Sequence, residues 1–364
     1  MRFYYMLSFW LVYVASQSLL RLALAATGGG TLASSAGATL GALAADAFAF
    51  RRMYATGTRT VRGLEAISLS VPPTPGQSIL RRPDNDHLQT LGSILAGQGY
   101  ACDFVYGGDG FFDNMNDFFR RNGYAIKDRA TIPSAERSSA PETVWGVADE
   151  VLYTQVLRSL DEHAAAGEPA FEMVMTTSNH RPFTFPRGRD AAADAHYGTR
   201  EGACRYSDWA IGDFLRRAKN HDWFGNTIFV IVADHQASAA GRTNLPVNRY
   251  HIPALVYAPG RIAAGGTDRL TSQIDLAPTL PPSAGTRAPR CSTTRRSDAA
   301  RRLQGTAHVR PMTARGCRTY ESSCDTRIGI AGESLRAAAP FLLSILRCTH
   351  RKDCRAPRPR HDLR

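Results

Sequence analysis

Two uninterrupted apolar runs, each finishing in polar or ionisable side chains, constrain this chain most. Phe171–Thr177 (FEMVMTT) runs into Ser178-Asn179-His180-Arg181-Pro182-Phe183, and Thr227–Ala233 (TIFVIVA) runs into Asp234-His235. Short runs of this composition suit strands that are buried on both faces. Ile252–Ala258 (IPALVYA) is a third. Between the first two, Arg200–Lys219 places Ala203, Tyr206, Ala210, Ile211, Phe214 and Leu215 at helical spacing, and Val147–His163 is a second amphipathic stretch. Strand, helix and strand in this order predict parallel pairing through right-handed crossovers. The fold class is therefore α/β, with a mostly parallel central sheet flanked by helices. In such sheets the chemistry collects beyond the carboxyl ends of the strands, where these polar groups fall.

The formal charge of +12 suggests a nucleic-acid partner until it is divided along the chain. Residues 281–364 carry 18 Lys+Arg against 6 Asp+Glu, while residues 1–280 carry 26 of each. The basicity belongs to the tail, which is Arg-, Ala-, Pro- and Cys-rich without sustained periodicity. It is read as a disordered basic segment, and no nucleic-acid partner is expected. Seven cysteines at irregular spacing, with only Cys102 and Cys204 before the tail, define neither a disulfide framework nor a zinc motif.

Residues 3–20 (FYYMLSFWLVYVASQSLL) are uncharged between Arg2 and Arg21. That length is just enough for one transmembrane helix or signal anchor; a cleaved signal peptide is the alternative, given the Ala-rich stretch after it. The expected domains are an anchor at residues 1–25, a linker at 26–43, a catalytic domain at 44–280 and the basic tail at 281–364.

Three groups of residues are candidates for chemistry. Asp234-His235 offers an oxygen and a nitrogen ligand for a divalent metal, or is a plain loop pair. His180 is either a surface-loop histidine or a phosphate-positioning group or general acid in the same pocket. Arg181 beside it suits a phosphate clamp or simple solvation. The third group is Tyr54–Glu65 (YATGTRTVRGLE), which sets three threonines and two arginines among glycines. A threonine hydroxyl needs a metal or base to act as a nucleophile.

The sequence resembles the lipoteichoic acid synthase-like phosphoglycerol transferases of the alkaline phosphatase/sulfatase superfamily. The matching stretches are Tyr54–Ser70, Val105–Tyr124, Trp145–Glu150 (WGVADE), Thr176–Pro186 (TTSNHRPFTFP), Tyr206–Phe214, Trp223–His235, Tyr250–Pro259 and Ser272–Leu280 (SQIDLAPTL), in the family's order. The resemblance implies that Thr60 is the nucleophile, with Thr58 as the fallback, and that Asp234, His235 and Thr60 hold one divalent ion, Mn²⁺ or Mg²⁺. It implies that His180 holds the substrate phosphoglycerol group, with Trp145 lining the pocket and Arg181 beside it. His251, grouped with Arg181 and Trp145 as substrate-binding, stands where related phosphatases place another metal ligand, or is structural. The implied reaction moves phosphoglycerol from a phosphatidylglycerol-type lipid to a glycan or polyol-phosphate hydroxyl through a covalent threonine. The implied place is the extracytoplasmic side of the bacterial inner membrane. A phosphodiester or sulfate ester hydrolase, or an impaired remnant, is the alternative.

The resemblance also implies a first strand that ends in an acidic metal ligand upstream of the nucleophile loop. Residues 1–45 contain no Asp or Glu, and Asp46 lies in Gly41–Phe50, read as a helix. The sequence therefore predicts that this ligand and its strand are both missing. After Leu280 the family pattern stops, which suggests an out-of-frame reading of residues 281–364. Cys291-Ser-Thr-Thr-Arg295 lacks the proline of the sulfatase Cys-x-Pro-x-Arg signature and lies after Asp234-His235, so it is no sulfatase nucleophile.

Overall fold

The computed structural model describes residues 9–14, 38–236, 247–252 and 254–280, all within one unit spanning Met1–Ala284. The tail, its disorder and its out-of-frame reading lie outside the described residues. The chain lays down β1 (Phe9–Val14), helix α1 (Ala38–Asp46), β2 (Phe48–Phe50), β3 (Met53–Tyr54), α2 (Thr60–Leu69) and α3 (Leu91–Ala96). Next come β4 (Ala101–Tyr106), α4 (Met115–Arg121), β5 (Ala125–Lys127), α5 (Asp149–Ala166), β6 (Ala170–Met175), α6 (Arg200–Ala218), β7 (Thr227–Val232), β8 (Ala254–Tyr257), β9 (Gly265–Thr267) and β10 (Thr271–Ser272). Short single-turn helices fill some of the connections.

Eight strands form one sheet in the order β5-β4-β6-β1-β7-β8-β2-β9, and β10 and β3 form a separate pair. The five strands from β5 to β7 run parallel, and β8 is antiparallel to both its neighbours. Every residue of β6 and β7 is buried, as a sheet covered on both faces requires. α6 carries the chain from β6 over β1 to β7, and α5 packs beside it. Tyr153 of α5 stacks on Phe214 of α6 at 4.8 Å, and Phe214 meets Phe229 of β7 edge-on at 6.1 Å.

Residues 3–20 are the main correction. Phe9–Val14 is a central parallel strand, not part of a membrane helix, and among the described residues no helix is long and apolar enough to cross a membrane. β1 pairs with β6 from Trp10↔Phe171 to Val14↔Met175 and with β7 from Phe9↔Thr227 to Val14↔Val232. The first strand is thus present, against the expectation of its loss. An apolar strand buried in a parallel sheet reads the same as a short membrane span, and the aromatic and β-branched content of FWLVYV favours the strand. A smaller correction concerns the Gly41–Phe50 stretch, which splits into the end of α1 and the strand β2; the third apolar run is the strand β8, antiparallel to β7.

Two hydrogen bonds tie α1 to α6, the Thr39 and Leu40 amides each donating to the buried Asp208 carboxylate at 2.9 Å. Burial raises the Asp208 carboxyl above its ordinary range. The apolar layer carries most of the stability. Phe214→Ala should lower the unfolding free energy by about 3–5 kcal/mol in urea titrations; a loss under about 1 kcal/mol would contradict the packing.

Candidate active site

β6, β1 and β7 end side by side, at Met175, Val14 and Val232, in register. Their spacing sets the ends of β6 and β7 about 10 Å apart with β1 between. The segments leaving β6 and β7 at this edge form the site, together with the N-terminus of α2.

Thr60 stands at the first position of α2, after Arg59 in extended conformation. The free amides of a helix N-terminus favour negative charge there. Its hydroxyl donates to Asp234 Oδ2 at 2.7 Å. Gly63, one turn on and on the same helix face, allows that contact. A Cβ at Gly63 would lie 2.2 Å from the Asp234 carbonyl oxygen, so α2 meets the end of β7 backbone to backbone. Gln273, fully buried, joins the two segments from a third side. Its Oε1 accepts from the Thr56 amide and hydroxyl, each at 3.0 Å, and its Nε2 donates to the carbonyls of Ala233 (2.7 Å) and Asp234 (2.8 Å).

Asp234 Oδ1 accepts from the His235 amide at 2.8 Å. His235 Nδ1 donates to the Gln236 carbonyl at 3.0 Å, which leaves the lone pair at Nε2. That nitrogen lies 3.3 Å from Asp234 Oδ2. Two acceptors this close need a proton or a cation between them. The carboxylate oxygen, the imidazole nitrogen and the Thr60 hydroxyl therefore fit a divalent ion as a minimal donor set. No third Asp, Glu, His or Cys joins them among the described residues, where the one such cluster of three lies elsewhere in the sheet. Residues 1–37 and 237–246 contain none of these types. The first strand is present; its acidic ligand is not.

Beyond β6, the His180 ring lies 4.0 Å from the Trp145 ring, and His180 Nδ1 and Trp145 Nε1 both donate to the Arg181 carbonyl, at 3.0 and 2.5 Å. Trp145, His180 and Arg181 thus form one group. Asp149, fully buried at the start of α5, holds the loop beneath them. It accepts from the Thr177 amide (3.2 Å), the Ser178 amide (3.0 Å) and the Ser207 hydroxyl (2.9 Å), and burial raises its carboxyl above the ordinary range. Tyr106, at the end of β4, completes this edge. Burial, with Asp113, Asp109 and Asp234, pushes its phenol up to about 12. His251 is bound elsewhere, through Nε2 to the Arg51 carbonyl and by ring contact with Tyr54 at 5.3 Å.

Gln273, Asp149 and Tyr106 were not among the residues predicted from sequence. Gln273 and Asp149 lie in matching stretches, SQIDLAPTL and WGVADE, but a buried amide or carboxylate acting on backbone has no spacing signature.

The profile of the Sulfatase family matches residues 11–286, and the chain belongs to that family. It is accordingly an enzyme of the alkaline phosphatase/sulfatase superfamily. It is 28% identical over 195 residues to phosphoglycerol transferase I of Xanthomonas campestris pv. campestris, covering 49% of this chain and 27% of that protein. It is 21% identical over 230 residues to lipoteichoic acid synthase 1 of Bacillus subtilis, covering 56% of this chain and 34% of the relative. A crystal structure of a protein in the alkaline phosphatase superfamily from Vibrio parahaemolyticus superposes with a TM-score of 0.66 at 33% identity, covering 75% of this chain and 64% of that one. The chain therefore spans about a third or less of the length of these two curated relatives.

Gly63→Ala should push α2 off Asp234, costing stability and most of the turnover. Gly41→Ala, in α1 with nothing within 4 Å of the added carbon, should stabilise by about 0.5–1 kcal/mol. Thermal melts of the two variants check the contrast, and equal shifts would contradict the close approach at Gly63.

Proposed function

We propose that the chain transfers phosphoglycerol from a phosphatidylglycerol-type lipid to a hydroxyl of a glycan or polyol-phosphate polymer, through a covalent threonine. The observation that carries this reading is the Thr60 hydroxyl on Asp234 Oδ2 at a helix N-terminus, beside His235. The names of the curated relatives support the group transferred.

In the first step the Thr60 oxygen bonds to phosphorus as its proton passes to Asp234 and the bond to the diacylglycerol oxygen breaks. His180 protonates that departing oxygen and, with Trp145 and Arg181, holds the phosphoglycerol group. The α2 amides face the charge that develops on the phosphoryl oxygens. In the second step the acceptor hydroxyl gives its proton to His180 as its oxygen attacks phosphorus, the bond to Thr60 breaks and Thr60 regains its proton from Asp234. A divalent cation held by Asp234, His235 and Thr60, Mn²⁺ or Mg²⁺, supplies a lowered hydroxyl pKa and neutralises phosphoryl charge when bound.

An apolar rim supports a lipid donor. Phe111 and Val144 are 86% and 80% exposed, and Phe112 meets Trp145 edge-on at 5.5 Å. The Phe112–Trp145 contact brings the segments carrying the exposed Phe111 and Val144 together, and contiguous apolar surface suits an acyl chain. In this reading the reaction takes place at the outer surface of the bacterial inner membrane.

Diacylglycerol release from phosphatidylglycerol vesicles, with Mn²⁺ or Mg²⁺ present, tests the proposal. Thr60→Ala should lower the rate at least about a thousandfold and Asp234→Asn comparably; an unchanged rate in Thr60→Ala would remove the nucleophile. The missing acidic ligand favours a second reading, a chain with the pocket but weak cation binding. Turnover should then need millimolar Mn²⁺ and vanish after brief dialysis against a chelator. Retention of a stoichiometric ion through dialysis would contradict that.

A further inference from the structure

We propose that Asp103, Glu172 and His163 form a second cation site, distinct from the Asp234-His235 pair and suited to a transition ion of the zinc class. The ligand atoms of these three side chains all lie within 4.8 Å of one another. Asp103 and Glu172 are register partners on β4 and β6, and His163 comes from the last turn of α5. Glu172 stands three residues before the end of β6, about 10 Å upstream of the catalytic edge.

Glu172 carries the inference. It is the one charged residue of β6, its side chain is fully buried, and neither carboxylate oxygen meets a hydrogen-bond donor. The Ser159 hydroxyl donates to Asp103 Oδ2 at 3.2 Å, and Ser159, Lys127 and His163 favour the charged Glu172 less than burial disfavours it. A buried carboxylate without partners costs several kcal/mol unless a proton or cation joins it. Burial, with Asp103 beside it, raises the Glu172 carboxyl to about 8.

The histidine is set as metal-binding histidines are. Its Nε2 is bonded to Asp103 Oδ2 at 2.8 Å, while its Nδ1 faces the Glu168 carboxylate at 3.4 Å, which orients the ring; an ion would take the place of the Nε2 proton. Two carboxylate oxygens and one imidazole nitrogen, with a fourth position for Ser159 or water, match a four-coordinate zinc site. Bonds of about 2.0–2.2 Å require the Asp103–His163 contact to open by about half an ångström and Glu172 to close in.

Lys127 opposes the ion. Its ammonium donates to Asp103 Oδ2 at 2.8 Å and to Ser159 Oγ at 2.5 Å. Its side chain is 22% exposed against 3% for Asp103, so the flexible stem can swing to solvent and open the site.

Zn²⁺ and Co²⁺ titrations of the full chain test this, in an Asp234→Asn/His235→Ala background that removes the catalytic pair. One equivalent should bind, disappear in Glu172→Gln, weaken at least tenfold in His163→Gln and tighten at least tenfold in Lys127→Met. Thiol binding elsewhere cancels in these differences. The Co²⁺ visible spectrum should report nitrogen and oxygen ligands for the equivalent that Glu172→Gln removes. His163, at a helix end, keeps the test valid if Glu172→Gln fails to fold. The same stoichiometry and affinity in the parent, Glu172→Gln and His163→Gln would overturn the site, as would no saturable binding in the parent. The cluster would then be a closed ion-pair network around a protonated Glu172.

Discussion

The close approach of α2 to the end of β7 is the constraint on which the site depends. Only a glycine lets the helix backbone reach the Asp234 carbonyl, and only at that distance does Thr60, one turn earlier, touch the Asp234 carboxylate. Gln273 holds the same two segments from the β10 side by four hydrogen bonds. A buried amide with all of its main partners satisfied fixes geometry more than it adds net stability. Thr60, the proposed nucleophile, is therefore placed by backbone packing and the clasp.

The two halves of the parallel sheet manage charge differently. At the carboxyl edge Asp234 and His235 are only partly buried and His180 and Arg181 are exposed, as the proposed phosphodiester site requires. Upstream, Lys127 and His163 pair with Asp103, while Glu172 lies buried beside them without a hydrogen bond, where low dielectric makes an unpaired charge costly. Catalytic groups gain from access, and the inner cluster gains from closure.

Much of this was legible in the residues. FEMVMTT and TIFVIVA marked buried strands because every position is apolar or β-branched apart from Glu172, and the polar groups just beyond them marked the functional edge. Asp234, His235 and Thr60 emerged from that edge and from the resemblance. Phe9–Val14 was misread because hydropathy alone does not pick out a six-residue strand set within a longer apolar run. The inner cluster was invisible for a different reason. Asp103, Lys127, His163 and Glu172 come from four elements, and only strand register and the last turn of α5 bring them together.

In the proposed reaction the Thr60 oxygen is the atom that takes up phosphorus. Acid-quenched protein, incubated with phosphatidylglycerol and Mn²⁺ without acceptor and fragmented by mass spectrometry, locates that atom. A single glycerophosphoryl group on Thr60 is the predicted result. The group on Thr58, or steady diacylglycerol release with no modified threonine, would contradict it.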